Sequence, residues 1–361
     1  MKTVFFNMSN AAISTMKKRT VLIAALLAAH CYILLNDVCA AGKYDNPDTL
    51  FVSRDGTGQF RTVNEAIEVC RAFMDYHKVI FVKKGTYKEK LIIPQWLQNI
   101  EICGEDRDLT IITYDDHANI PYSNATGVTS YDGQDPALRA QSQPKLGTFR
   151  TYTLKIEAND ITLKNITIEN NSARLGQAVA LHTEGDRLRF VNCRFLGHQD
   201  TVYTGMPNTR LLFDHCYIEG TTDFIFGPST AWFEQCHIHC KANSYITAAS
   251  TPKEVKYGYV FNKCTITCAD DVEQVYLGRP WRDYGYTLFM HCTLPAQIRP
   301  EGWHHWQKER EQTARYLEFE NNGAGADITR RAPWSRQLTK KEAKDITPTV
   351  VFQRKDDWTM E

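Results

Sequence analysis

RFVNCRFLGHQDTVYTGMPNTRLLFDHCYIEGTTDFIFGPSTAWFEQCHI, residues 189–238, carries one short pattern three times. In each copy a Phe (Phe190, Phe213, Phe233) is followed by two residues, a Cys (Cys193, Cys216, Cys236), one residue, and an apolar residue. Downstream the pattern returns in YVFNKCTI (259–266) and TLFMHCTL (287–294), adding Phe261, Cys264, Phe289 and Cys292. Upstream, ITLKNITI (161–168) has Leu163 and Ile166 in the same places. Successive copies are offset by 27, 23, 20, 28 and 28 residues. Such spacings suit one coil of a parallel β-solenoid with loops of variable length. The Phe-to-Cys offset is odd, so plain strand alternation would put the two on opposite faces. A tight bend between them, at positions such as Asn192 or His215, lets both point inward. The cysteines then form an internal stack beside stacks of Phe and of Ile or Leu. A β-sandwich is the alternative, but identical residues at one register favour the solenoid.

The same register places two aspartates. Asp200 lies seven residues after Cys193, and Asp223 seven residues after Cys216. On neighbouring coils their carboxyl groups would stack about one strand spacing apart, roughly 4.8 Å. Paired carboxylates at that separation perform acid/base and nucleophilic chemistry.

The chain has 361 residues, 43% of them hydrophobic, enough for one sizeable core. The net charge is zero, with +3 on the first 40 residues and so −3 on the rest. No basic excess points to nucleic acid. Residues 1–40 read as a signal peptide: Lys17-Lys18-Arg19 is basic, Thr20 to Leu35 apolar, and Val38-Cys39-Ala40 small before a cut. The apolar run is short for a membrane span and is broken by His30, so no stable span is expected. The protein is expected to be secreted, periplasmic or extracellular, and monomeric. Nine cysteines follow residue 40, an odd count that leaves at least one free thiol. The five repeat cysteines read as core packing, although Cys216 and Cys236, on adjacent coils, could also be bridged. Cys236-His237-Ile238-His239-Cys240 could be read as a metal site. Alternation puts its neighbours on opposite faces and the stack already uses Cys236, so no metal is expected.

Residues 41–361 form one domain. Asp45 to Phe60 should hold a first strand and turns. Thr62 to Met74 reads as a helix with a Thr62–Glu65 capping box and an apolar face of Val63, Ala66, Ile67, Cys70 and Phe73. It would cap the open end of the solenoid. Val79 to Val82, Leu91 to Ile93 and Ile100 to Cys103 are early coil strands. Tyr114 to Leu146, rich in Gly, Pro, Ser and Asp, reads as a surface loop insertion. Coils run from Thr148 to about Ile298. After Trp306 the pattern gives way to loops, a helix around Thr339 to Asp345 and an apolar strand at Thr349 to Phe352.

Several stretches, in order, resemble the pectin methylesterases (pectinesterases). They are GTYKEK (85–90), GTFR (147–150), NITIENN (165–171), GQAVAL (176–181), GHQDTVY (197–203), GTTDFIFG (220–227), YLGRPW (276–281), RPEGWHHW (299–306) and NNGAGA (321–326). The resemblance implies an all-β, single-domain, right-handed parallel β-helix. It implies a carbohydrate esterase that demethylesterifies pectin, methylated homogalacturonan, and releases methanol without cofactor or metal. Residue by residue, Asp223 resembles the nucleophile and Asp200 the general acid and then base. Gln199 resembles the transition-state stabiliser and Gln177 a second oxyanion or substrate contact. Arg279 resembles the arginine that holds the nucleophilic carboxylate. Trp281 resembles a sugar platform and Thr148 a substrate contact, while Tyr203 and Phe224 should line the same groove. The family often has Arg after QAVAL, where this chain has His182, and Tyr before QDT, where it has His198. These departures bear on the groove and the exact substrate pattern, not on the aspartate pair.

The residue types suit the chemistry. An Arg beside Asp223 keeps that carboxylate charged and aimed. Two carboxyls about 5 Å apart in a partly dry cleft resist double ionisation, which raises one pKa and makes Asp200 the acid. Gln amides donate to the developing oxyanion. Three other readings stay open: a retaining glycosidase with two close carboxylates, an esterase or thioesterase on a non-pectic ester, and a non-catalytic carbohydrate-binding β-helix. Against the first, the polygalacturonase NTD and GHG motifs are missing, and a calcium-type Asp cluster is missing as well.

Overall fold

In this computed structural model of the protein, residues 48–121, 144–352, 356 and 358 are described. The expected signal segment and most of the 114–146 loop lie outside them. Among the described residues the strands form three parallel sheets, one of eleven strands and two of seven. Each coil of the repeat gives one strand to each sheet, so the chain is a parallel β-helix.

The repeated residues form ladders inside the helix. In the eleven-stranded sheet Leu163 pairs with Phe190, and then Phe190, Phe213, Phe233, Phe261 and Phe289 pair in succession. Their rings stack with centroids 4.6, 4.6, 4.3 and 4.3 Å apart. In a seven-stranded sheet Ile168, Phe195, Ile218, Ile238 and Ile266 pair likewise. The corner between these sheets is a single residue with left-handed backbone: Asn165, Asn192, His215, Gln235, Lys263 and His291 all have φ between 49° and 55°. That corner resets the alternation, so Phe and Cys both face inward, as the odd offset requires.

The five repeat cysteines are buried, and the thiol of each donates to the backbone carbonyl at the Phe position one coil back. For Cys216 on Phe190 O the distance is 3.2 Å. Burial pushes the thiols of Cys193, Cys236 and Cys292 up, which keeps them as small neutral core residues. All nine described cysteines are free, so Cys216 and Cys236 are not bridged. In the suspected metal segment, Cys236 and Cys240 are in the core. His237 Nε2 and His239 Nδ1 instead share the Thr267 hydroxyl, at 2.7 and 2.8 Å.

Because each ring of the Phe stack has a partner above and below, truncation leaves a cavity that neighbours cannot close. Phe233→Ala should cost ~3–5 kcal/mol of stability. Denaturant unfolding would measure it, and a cost under about 1 kcal/mol would contradict the stacked core.

The N-terminal helix covers the first coil, but it is shorter than expected: Val63–Glu68, with the Thr62–Glu65 capping box present. Glu89 of the GTYKEK stretch also accepts from Val63 N and Asn64 N, at 3.0 and 2.9 Å. The helix ends at Glu68 with Val69 as its C-cap, although Cys70 and Met74 beyond it still bury in the core. Phe73, expected in the core, has φ 56° and is 76% exposed.

At the other end two expectations fail. Arg315–Phe319 and Arg336–Gln337 extend the eleven-stranded sheet beyond Trp306. There the Phe ladder ends on Glu318, the partner of Phe289. Glu318 is buried and satisfied by Arg331 Nε at 2.9 Å and Trp303 Nε1 at 3.2 Å. The expected strand at Thr349 to Phe352 is a helix, Pro348–Phe352. Pro348 presets the first helical turn, and the backbone N–H of Val351 reaches Thr347 O at 2.8 Å. Val351 and Phe352 then bury against Leu212, Trp232 and Val260 on the outer face of the large sheet. The expected helix near 339–345 is present as Lys340–Lys344, capped by Thr339.

Candidate active site

The site lies on the second seven-stranded sheet. Its strands Leu181–Thr183, Val202–Thr204, Ile225–Gly227, Tyr245–Ala249 and Tyr276–Gly278 run side by side in that order. Tyr203 pairs with Phe226, which puts Asp200 and Asp223 at one register just before their strands. The Asp200 N–H donates to Thr222 O at 3.1 Å and the Asp223 N–H to Tyr245 O at 2.9 Å. Both aspartates have left-handed backbone, φ 68° and 50°. Each follows a glycine by three residues, and those glycines are sterically required. A Cβ on Gly220 would come within 2.2 Å of Phe224 Cβ, and one on Gly197 within 2.7 Å of Thr201 Oγ1.

The two carboxyls have different surroundings. Arg279 Nε donates to Asp223 Oδ1 at 2.9 Å and its Nη2 to Oδ2 at 2.6 Å, a bidentate pair. Burial pushes Asp223 above the usual carboxylate range, while the Arg279 bonds and charge pull it down. Asp200 is also buried and, among the described residues, makes no side-chain hydrogen bond. Burial first, and the Asp223 charge second, push Asp200 well above the usual range. The pair is therefore asymmetric, with the proton held preferentially on Asp200.

Gln177 and Gln199 sit on adjacent coils, tied by Ala178 N to Gln199 O at 3.0 Å. Both are half-buried, and neither amide is engaged by a side-chain hydrogen bond among the described residues. They are free to donate to a ligand.

An aromatic surface adjoins the aspartates. The Tyr203 ring stacks on Phe226 at 4.7 Å and meets Phe149 and His182 at 4.8 Å each. Trp281 meets Phe226 at 5.8 Å and Tyr203 at 6.5 Å. Thr148 begins a short 3-10 turn, Thr148–Arg150, that leaves Phe149 exposed beside Tyr203. The turn is anchored from below: Lys90 Nζ donates to Arg150 O at 2.5 Å and pairs with buried Asp116 at 2.5 Å.

Phe224 is the exception among the expected groove residues. It is fully buried in the main core cluster. Phe224 precedes the strand Ile225–Gly227 and turns into the core; alternation begins only at Ile225, which faces the core and leaves Phe226 to face the groove. Phe226, Phe149, Tyr245 and Trp306 were not singled out from the sequence. Phe226 stands two residues from Phe224 and competes with it for the same outward place, so the motif alone could not separate them. His182 is buried under the aromatic surface, its Nε2 3.0 Å from Glu184 Oε1; burial lowers its pKa, keeping the imidazole neutral.

A pectinesterase family model matches residues 49–133 and 114–355. Pectinesterase 31 of Arabidopsis thaliana is 36% identical over 296 residues, covering 81% of this chain and 88% of that protein. A probable pectinesterase/pectinesterase inhibitor of Brassica napus is 33% identical over 318 residues; the chain covers 50% of that longer protein. Among solved structures, the carrot pectin methylesterase superposes with a TM-score of 0.73 at 30% identity, covering 84% of this chain and 92% of that one. A pectin methylesterase in complex with a hexasaccharide gives a TM-score of 0.68 at 27% identity, covering 86% and 97%. The chain belongs to the pectinesterase family.

Proposed function

We infer that Asp223 and Asp200 carry the two half-reactions by which this carboxylic-ester hydrolase demethylesterifies pectin. One observation carries the assignment: two carboxyls share a register, and only Asp223 is gripped by Arg279. A gripped, charged carboxylate suits the nucleophile; a buried, unbonded and protonated one suits the acid.

Asp223 attacks the ester carbonyl carbon of a methylated galacturonate. Negative charge collects on the carbonyl oxygen, where the Gln177 and Gln199 amides can donate. Collapse breaks the bond to the methoxy oxygen, which takes the Asp200 proton and leaves as methanol. The acyl group is now an anhydride with Asp223, and Asp200 is ionised. Asp200 next removes a proton from water as the water oxygen attacks the acyl carbon. Collapse of this second intermediate releases the free galacturonic acid and the Asp223 carboxylate, leaving Asp200 protonated. The sum is ester plus water to acid plus methanol.

The flat aromatic surface of Tyr203, Phe226 and Trp281 suits the apolar faces of sugar rings, and Thr148 stands at its edge on the turn that carries Phe149. A structural relative solved with a hexasaccharide supports an oligosaccharide groove here. The test is methanol release by the purified full chain from methylated homogalacturonan. Methanol without loss of polymer length is the expected result. Depolymerisation without methanol would overturn the esterase assignment, and cleavage of simple aryl esters alone would remove pectin as the substrate.

A further inference from the structure

The Arg279 guanidinium is clamped between two rings. Its central carbon lies 3.9 Å from the ring centroid of Tyr245 and 3.9 Å from that of Trp306. Tyr245 also belongs to the row that holds the aspartates. Ile225 pairs with Thr247, so Asp223 and Tyr245 share a register, and Tyr245 pairs in turn with Tyr276. The Tyr245 and Tyr276 rings are nearly parallel, 5.2 Å apart with 12° between planes, and Arg299 lies 4.8 Å over the far side of Tyr276. Rings and guanidinium groups thus form one continuous pile along the sheet, with Arg279 inside it.

We propose that Tyr245 is a positioning residue that acts on Asp223 through Arg279, by fixing the plane of the guanidinium. A bidentate Arg–carboxylate contact requires the two planes to align. Arg279 has a long side chain, and no carboxylate other than that of Asp223 is within ion-pairing distance of it among the described residues. Two rings at van der Waals distance remove its freedom to twist and keep water off its faces. What remains is an edge, Nε and Nη2, aimed at the two oxygens of Asp223. The ring face is the useful part: the Tyr245 hydroxyl makes no hydrogen bond among the described residues.

The inference rests on the esterase reading above. Its test compares the wild type, Tyr245→Phe and Tyr245→Leu in methanol release from methylated homogalacturonan, with kcat, KM and the pH profile of kcat/KM for each. Tyr245→Phe keeps the face and should stay within about twofold of wild type, while Tyr245→Leu should lose about tenfold in kcat with KM little changed. The acidic limb of the Tyr245→Leu profile should move to higher pH, because a loosened Arg279 no longer holds Asp223 ionised as well. A purely structural role would lower the melting temperature and leave that limb in place. Equal kcat and equal acidic limbs for Leu and Phe would overturn the proposal, and so would a loss confined to KM, which marks a substrate contact. If Tyr245→Leu does not fold, Tyr245→Met, which keeps bulk without a ring face, carries the same expectations. An active wild type with an indifferent Leu variant defeats this inference alone; a wild type that releases no methanol defeats both readings.

Discussion

Asp223→Asn should lower methanol release on the order of 10⁴-fold or more, as loss of a covalent nucleophile does elsewhere. The substitution keeps the size and shape of the side chain and removes only its nucleophilic charge. The backbone will accept it: Asp223 has φ 50°, and Asn is among the few residues that tolerate the left-handed region. Arg279 keeps its ring contacts with Tyr245 and Trp306 and can still donate to the amide oxygen. The variant should therefore fold with a circular-dichroism spectrum and melting temperature close to wild type. Turnover within tenfold of wild type, in a folded protein, would remove Asp223 from the nucleophile's role.

Asp200→Asn should do two opposite things. Activity should fall by about 10²–10⁴-fold, because the leaving methoxide loses its proton source. Stability relative to wild type should rise as pH climbs above about 4. Asp200 in the folded chain is held well above its ordinary range by burial and by Asp223. A carboxyl whose folded pKa is raised contributes its stability below the unfolded value of about 3.9, and that contribution is lost as pH rises through the folded value. Above that point the wild type must keep a buried, unbonded charge that Asn lacks. Melting curves for the two proteins should coincide near about pH 4 and diverge near about pH 9, with the variant higher. The same titration sets the alkaline limb of wild-type kcat/KM, and the residual activity of the variant should lack that limb. Equal melting temperatures at both pH values would mean that Asp200 is ionised at little cost and is not the acid.

How much of this was readable in the chain depends on whether a residue repeats. The Phe, Cys and Ile ladders were legible because each coil must fill the same interior space, so the residue recurs at every turn. The bend between Phe and Cys followed from an odd offset, and the left-handed Asn192 and His215 stand there. The aspartate pair was legible for the same reason. Features outside the repeat were not. Phe226, not Phe224, faces the groove because the strand begins only at Ile225 and Phe224 lies in the turn before it. Arg315–Phe319 lacks the Phe and Cys signals, since it closes the core with Glu318 and Arg331. Thr349 to Phe352 looks like a strand by composition, yet a preceding Pro and Thr make it helical. Tyr245 and Trp306 contact Arg279 from 34 residues before it and 27 residues after it, which no local pattern reveals.

The corner at the other end of the aspartate strands changes length from coil to coil. Two residues join Ile225–Gly227 to the next strand, whereas nine join Tyr245–Ala249 to its successor. The separation between Asp200 and Asp223 is set by the hydrogen-bonded step from one coil to the next, so those far corners contribute nothing to it. The reacting pair is thereby insulated from insertions and deletions at that far corner. Loops can lengthen, shrink or be exchanged at the far edge, over evolutionary time or by grafting, while the two carboxyls keep their spacing.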